Sequence, residues 1–261
     1  MIRKLIYLNL KDTKVTSFLA VIVISIILTL VKIQSVNLPI YSGSSMIDIE
    51  ILLFGGLDLN FNISNNIIDF VLWLLPILLV ITLVSITNEE IKNRAPLTLP
   101  KIKLKSKWIH ALNIYLFIFV KENYEVLFLT SLITILVLKG PEAFYDIGRY
   151  GILLFLFIMN LLMVVSIILF VNNISLLFMG SKKIEVTVTL LFIISVLISK
   201  ISNSLNKILL INQGIIVRHS LFSKGIPDFS VSFSLIYLSA FIFANVISGI
   251  LIVRRVDLSS I

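Results

Sequence analysis

From Gly151 to Val171 the chain runs without a single charged side chain, and a run of that length leaves its backbone few options. A hydrocarbon layer about 30 Å thick is crossed by about 20 residues rising about 1.5 Å each. Lipid offers no partner to a bare N–H or C=O, so a segment placed in it satisfies its own backbone by becoming a helix. The rest of the sequence agrees with that setting. Its residues are 58% apolar with a mean hydropathy of +1.08, and only 14% are charged, against about 25% in soluble domains. The sequence therefore predicts an integral membrane protein built of helices.

Six segments have the required character: 15–31, 66–86, 109–138, 151–171, 184–199 and 229–253. Ahead of them, Met1–Lys14 carries Arg3, Lys4, Lys11 and Lys14 among Leu, Ile and Tyr. That pattern fits an amphipathic helix on the headgroups or simply the charged end of the first span. It shows no small-residue cleavage site after an apolar run, so the first span is expected to be retained. Lys32 closes that span. The loop from Gln34 to Asn65 has turn signals in Pro39, Gly43, Gly55 and Gly56 and contains Asp48, Glu50 and Asp58 but no Lys or Arg, which places it outside by the positive-inside rule.

The second span carries Asp69 near its outer end and Pro76 in its middle, where proline removes one backbone hydrogen bond and favours a kink. Both readings of Asp69, a solvated end and part of a gating kink, stay open. The third segment is interrupted by Lys121–Glu125, reading KENYE. As one helix, Ile109–Leu138 would extend about 45 Å, beyond the hydrocarbon thickness. Either an interfacial helix bends into a short span at the cluster, or one long tilted helix carries Lys121, Glu122 and Glu125 along a substrate path. Lys121 and Glu125 are four apart and are expected to pair on one face. Residues Lys200–Asp228 alternate apolar and polar groups and read as an external re-entrant or surface helix pair, and Arg254 and Arg255 stop the last span.

Between the second and third segments lies the basic stretch Asn88–Trp108. Lys and Arg are about twice as numerous on the side of this stretch as on the other, which predicts six spans with both termini cytoplasmic. The net charge of +8 thus reports topology, since the basic residues flank apolar runs and form no patch for nucleic acid.

Chemistry is sparse. The chain has no cysteine, and His110 and His219 stand far apart, which leaves no basis for a metal site. No phosphate loop of the form G-x-x-x-x-G-K-[ST] occurs, so the chain holds no nucleotide in that manner and no cofactor is expected on it. Glu89, Glu90 and Arg94 form E-E-x-x-x-R, which resembles the first motif of the intramembrane CPBP-type proteases. The companion motifs F-x-x-x-H and H-x-x-x-N are missing, because Ser106 and Ile215 precede the two histidines and Ile114 and Ser223 follow them at the required spacing.

The order of parts, with the R-x-x-L-x-x-P run of Arg94, Leu97 and Pro100, Lys107 at the head of the third span and R-R-x-D-L at Arg254–Leu258, is similar to the six-span permease subunit of ABC-2-type transporters. The resemblance covers the full length on loose motifs. It implies a non-catalytic subunit whose segment between spans two and three docks on a separate ATPase that holds ATP and magnesium. The matching positions are Glu89, Glu90, Lys92, Arg94, Lys107, with Leu97 and Leu99 as apolar contacts. It further implies a second permease copy, identical or related, in the plasma membrane. The size and the Ile-, Asn- and Lys-rich style are similar to Gram-positive permeases that export bacteriocins, lantibiotics and other amphipathic peptides. The rival readings are the CPBP-like protease and a non-transporting membrane immunity or interaction protein.

Overall fold

The computed structural model describes residues 14–36, 45–57, 63–93, 105–141, 149–178, 182–198, 202–222, 226 and 229–255. The leader before Lys14, and with it the expected interfacial helix, lies outside them. The regular elements among the described residues are all helical, in the order α1 (Lys14–Val36), α2 (Met46–Phe54), α3 (Ile63–Asn93), α4 (Lys105–Lys139), α5 (Tyr150–Leu177), α6 (Lys182–Ile198) and α7 (Asn203–Ile208). Two 3₁₀ turns, Leu210–Gly214 and Ile216–Arg218, then lead to α8 (Val231–Arg255). Among the described residues four helices, α1, α3, α5 and α8, are long and apolar enough to cross a membrane, and no strand occurs, as in an all-α membrane protein. Helix α6 is shorter, with Val186–Ile198 as its apolar part.

Helix α5 is the axis of the bundle. It is the most deeply buried of the four spanning candidates, and α2, α3, α4, α6, α8 and the first 3₁₀ turn all pack on it. Its sequence explains why. A helix that meets protein on every side has no lipid stripe to maintain, so polar groups can stand anywhere along it provided they find partners. Asn160, Ser166, Asn172, Asn173 and Ser175 are all buried on it. Helix α8 packs most closely on α5, and α1 packs chiefly on α4.

Three points of the sequence reading are decided. First, of the two alternatives left open at Lys121–Glu125 the chain takes the continuous helix, Lys105–Lys139 with 35 residues, and makes no elbow there. Buried residues from Trp108 to Ile135 run along its whole length, and packing against α1, α5 and α8 keeps it intact past the charges. At about 1.5 Å per residue it is some 52 Å long and overshoots a hydrocarbon layer.

Second, the loop from Gln34 to Asn65 contains a helix. Ser45 caps α2 by accepting from Asp48 N, while the Asp48 carboxylate accepts from Ser45 N, a reciprocal box that satisfies two end groups at once. Gly55 and Gly56 end it and place the chain against Ile215 and Val217. Third, 202–222 is one short helix and two 3₁₀ turns in place of a helix pair, and Leu210–Gly214 is buried among α5, α6 and α8.

Pro76 lies buried inside α3, which continues through it for 31 residues. Lys32 does not close a span but sits inside α1, buried and ion-paired with Asp69 of α3.

Candidate functional site

Helices α3 and α6 both pack on α5 but hardly on each other, and the space left between them is a groove of about 360 Å³. Its walls are apolar: Leu78, Ile81 and Val84 come from α3, Ile168 and Val171 from α5, and Val186, Leu190 and Ile193 from α6. Ile86, Val186 and Leu190 are exposed at its rim, so the groove opens sideways, where lipid would lie. Its volume falls within the range of about 300–1,000 Å³ typical of small-molecule sites.

One end of the groove is polar. Asn88 Nδ2 donates to Asn172 Oδ1 at 2.9 Å, bridging α3 and α5, and Glu89 stands beside them on the groove lining. Both amides are buried, and each keeps one atom without a partner, Oδ1 on Asn88 and Nδ2 on Asn172. One turn further along α3, Lys92 Nζ donates to Ser175 Oγ at 2.9 Å. On the other side of α5, Asn173 Nδ2 donates to the Asn245 carbonyl at 2.8 Å and to Ser248 Oγ at 3.0 Å, fastening α8. The close approach there requires Gly249, where a Cβ would stand 2.7 Å from Asn173 Oδ1. The last turns of α5 therefore hold two helices, α3 and α8, through amide, hydroxyl and ammonium side chains, and the groove's polar end belongs to that belt.

Of the residues singled out from the sequence, Glu89 lines the groove, Glu90 beside it is exposed, and Lys92 is buried in the belt. Lys107 is exposed at the start of α4. Arg94, Leu97 and Leu99 lie outside the described residues. Lys121 and Glu125 form the expected pair at 2.7 Å, both part-exposed. Helix α4 contributes no side chain to the groove, so Lys121, Glu122 and Glu125 stand apart from it. Asp69 is tied to Lys32, and neither it nor Pro76 reaches the groove. Asn88, Asn172 and the whole α6 wall went unremarked in the sequence. The available signal was the Asn172–Asn173 pair inside an apolar run, since polar side chains within spans turn towards protein or a cavity.

At the opposite end of the bundle a second polar assembly closes the structure. Arg218 is fully buried, and its Nε donates to the Leu57 carbonyl at 2.9 Å while Nη1 donates to Asn206 Oδ1 at 2.8 Å and Asn212 Oδ1 at 3.0 Å. His219 stacks on Phe229 with ring centres 4.3 Å apart, and Ser234 Oγ lies between its Nε2 and Gln213 Oε1. Burial holds the imidazole below its usual pKa, an effect only partly offset by the Ile216 and Ile215 carbonyls at Nδ1, which favours the neutral ring. Glu50 on α2 is also fully buried, with Oε1 accepting from Ser131 Oγ at 2.6 Å and Oε2 without a partner. These groups lock α2 and 202–222 onto the bundle.

Among the described residues no group of three or more His, Cys, Asp or Glu is placed to hold a metal. No family model matches the chain, and no curated protein or solved structure matches it either.

Proposed function

We infer that the protein is the membrane subunit of an ATP-driven exporter of the ABC-2 type, working with an ATPase on another chain and a second permease copy or relative. In this reading α1, α3, α4, α5, α6 and α8 are the six spans, the basic end carrying Lys92, Lys105, Lys107, Arg254 and Arg255 is cytoplasmic, and α2 with 202–222 lies outside. The membrane is the plasma membrane of a Gram-positive bacterium, and the cargo is a peptide or other amphipathic molecule.

The observation that carries this reading is that one rigid element joins the two places such a subunit needs. Helix α3 runs unbroken for 31 residues from Ile63 to Asn93. Its stretch from Leu78 to Glu89 is a wall of the groove, and Glu90, next in sequence, is exposed at the basic end where a partner could dock. A push on Glu90, Arg94, Leu97, Leu99 and Lys107 by an ATPase closing on its nucleotide would tilt α3 as a body and widen or narrow the groove. A helix serves this purpose better than a loop because its backbone bonds are all internal and it transmits displacement along its axis.

The test is co-purification. A tagged wild-type chain should retain its ATPase, and Arg94→Glu combined with Lys107→Glu should release it while the chain still reaches the membrane. Unchanged ATPase retention and turnover in the double variant would remove the docking surface and with it this reading.

A further inference from the structure

We propose that Glu50 is a proton-binding site whose bound proton holds α2 in the bundle as a plug, and that α2 is released when the proton leaves. The plug is evident first from packing. Helix α2 is nine residues long, seven of them are buried, and α1, α3, α4 and α5 all pack on it. A helix that short has little stability of its own, so its seat keeps it folded. Four polar contacts complete that seat. Arg149 Nη1 at the head of α5 donates to Asp48 at 3.0 Å, Ser131 Oγ of α4 meets Glu50 Oε1 at 2.6 Å, Asn160 Nδ2 of α5 donates to the Phe54 carbonyl at 3.0 Å, and Val217 N donates to the Gly55 carbonyl at 3.2 Å. Asp48 and Arg149 are part-exposed, so Glu50 is the ionisable group that the seat buries.

The hydrogens available at Glu50 favour the acid. Ser131 Oγ stands 2.6 Å from Oε1 and 2.7 Å from the Phe128 carbonyl, and a hydroxyl has one hydrogen. Given to Phe128, it leaves the contact with Oε1 to be made by a hydrogen on the carboxyl. Given to Oε1, it is the one donor that a carboxylate would meet, because Oε2 has no partner. A buried carboxylate is stable with several donors or a cation around it, and here it would have neither.

The charges on the neighbouring elements are engaged elsewhere or distant. Asp48 pairs with Arg149, Lys32 of α1 with Asp69 of α3, and Lys121 with Glu125 on α4. Along α4, Lys121, Glu122, Tyr124 and Glu125 lie six to ten residues before Ser131 and Lys139 eight after it, axial separations of about 9–15 Å. Tyr150 lies in the first turn of α5. Arg218 and His219, beyond Val217, are held by Leu57, Asn206, Asn212 and Phe229. Lys14, Glu89, Glu90, Lys92, Lys105, Lys107 and His110 stand at the opposite ends of α1, α3 and α4. Ionisation in place therefore strands a charge, and movement of α2 alone is enough to bring it to water.

Burial accordingly pushes the carboxyl up from 4.5 to about 8. A released α2 would titrate near 4.5, so seating takes up a proton between the two values. Release then grows by up to about tenfold per pH unit as pH rises through them. The exporter reading above enters only in naming the outside as the compartment whose pH is sensed. The proton-held seat is a property of this chain alone.

The experiment uses the purified full chain in phosphatidylcholine nanodiscs, without ATPase or nucleotide. The chain has no cysteine, so Leu53→Cys on the buried side of α2 reports the seat through its rate of labelling by a charged maleimide. The same thiol in a Glu50→Gln background cancels the pH dependence of the thiol itself. From mild acid to mild alkali, labelling with Glu50 present should rise more than about tenfold relative to the Glu50→Gln background. Ser166→Cys, buried on α5, should stay unlabelled throughout. Infrared difference spectra of wild type against Glu50→Gln at neutral pH should show a carboxylic-acid carbonyl stretch. A pH-independent ratio, labelling of Ser166→Cys in step with Leu53→Cys, or no acid band at neutral pH would each overturn the proposal. None of these outcomes bears on ATPase retention, so the two readings fail separately.

Discussion

Lys32 of α1 and Asp69 of α3 are ion-paired across the bundle, with the lysine side chain 3% exposed and the aspartate 43% exposed. The asymmetry decides which partner matters more. The ammonium sits where water cannot replace its carboxylate, whereas the carboxylate keeps contact with the surface. Asp69→Leu should therefore destabilise the protein by about 2 kcal/mol, below the 3–5 kcal/mol of fully buried pairs because Asp69 is partly solvated. Lys32→Met should cost less, and the double variant should recover most of the Asp69→Leu loss, since no buried charge remains. Thermal melts of the four proteins in detergent give the cycle, and additive losses would show that the pair has no coupling of its own.

Glu50 sets a pH dependence. On α2, outside the spanning helices, burial pushes its carboxyl up from 4.5 to about 8, with the Ser131 hydrogen bond pulling weakly the other way. In the unfolded chain the carboxyl loses its proton near 4.5, while in the folded protein it keeps it to about 8. Folding thus takes up a proton throughout that window, so the stability present below it falls as pH rises through it, by at most about 1.4 kcal/mol per pH unit. Above it the penalty is constant. Glu50→Gln keeps the shape and an acceptor for Ser131 without an ionisable group. Its melting temperature should match wild type in mild acid and exceed it increasingly towards pH 8. Parallel pH profiles for the two proteins would show that Glu50 ionises in place.

What the sequence could show followed from length and sign. The positions of α1, α3, α5 and α8 were legible because an apolar run of spanning length has one cheap solution in lipid. At Lys121–Glu125 the argument from thickness left an elbow and one long helix both open, because hydrocarbon thickness does not limit how far a helix runs beyond it. Helix α4 instead overshoots, and the Lys121–Glu125 pair is accommodated on a part-exposed face. The burial of Glu50 was not legible, because it was read only as one acid of an external loop and depends on α2 folding back onto Ser131 of α4. The capping pattern of Ser45 and Asp48 was the signal that a helix starts there. Arg218 was not singled out, because its burial under Asn206 and Asn212 depends on how the turns of 202–222 fold back on themselves. The groove was not legible, because it exists only where α3 and α6 stand apart on α5, and a single sequence carries no record of which helices are neighbours.

Gly56 tests how α2 docks. Its φ of +86° lies in the region L side chains avoid, and a Cβ there would meet Ile215 Cγ2 at 2.6 Å. The conformation alone costs an alanine about 1–2 kcal/mol, and Ile215 is fully buried and has no room to withdraw. Gly56→Ala should lose roughly 2–3 kcal/mol in all. Gly151→Ala is the matched control. It lies in the first turn of α5 with nothing near its added methyl group, so it should be neutral or stabilising by up to about 1 kcal/mol. Similar losses at both sites would mean that glycine number, and not the contact with Ile215, sets the effect.

Arg218 tests whether 202–222 is a folded part of the bundle or a loop resting on it. Its guanidinium meets the Leu57 carbonyl with Nε and two asparagine oxygens with Nη1, acceptors that lie in different directions and belong to three separate stretches of chain. A planar fork reaches them together, and an ammonium on a flexible stem does not. Arg218→Lys should therefore behave like Arg218→Met in losing this joint, at roughly 2–3 kcal/mol for the hydrogen bonds to a charged group, even though it keeps the charge. Because α5 and α8 are held by their own packing and by Asn173, helix content should hardly change. The loss should appear locally, as faster amide exchange at Asn212, Ile215 and Val217, whose N–H groups bond to Leu209, Asn212 and Gly55. If Arg218→Lys keeps these amides protected while Arg218→Met exposes them, then charge and not the fork geometry is what joins this segment to α2.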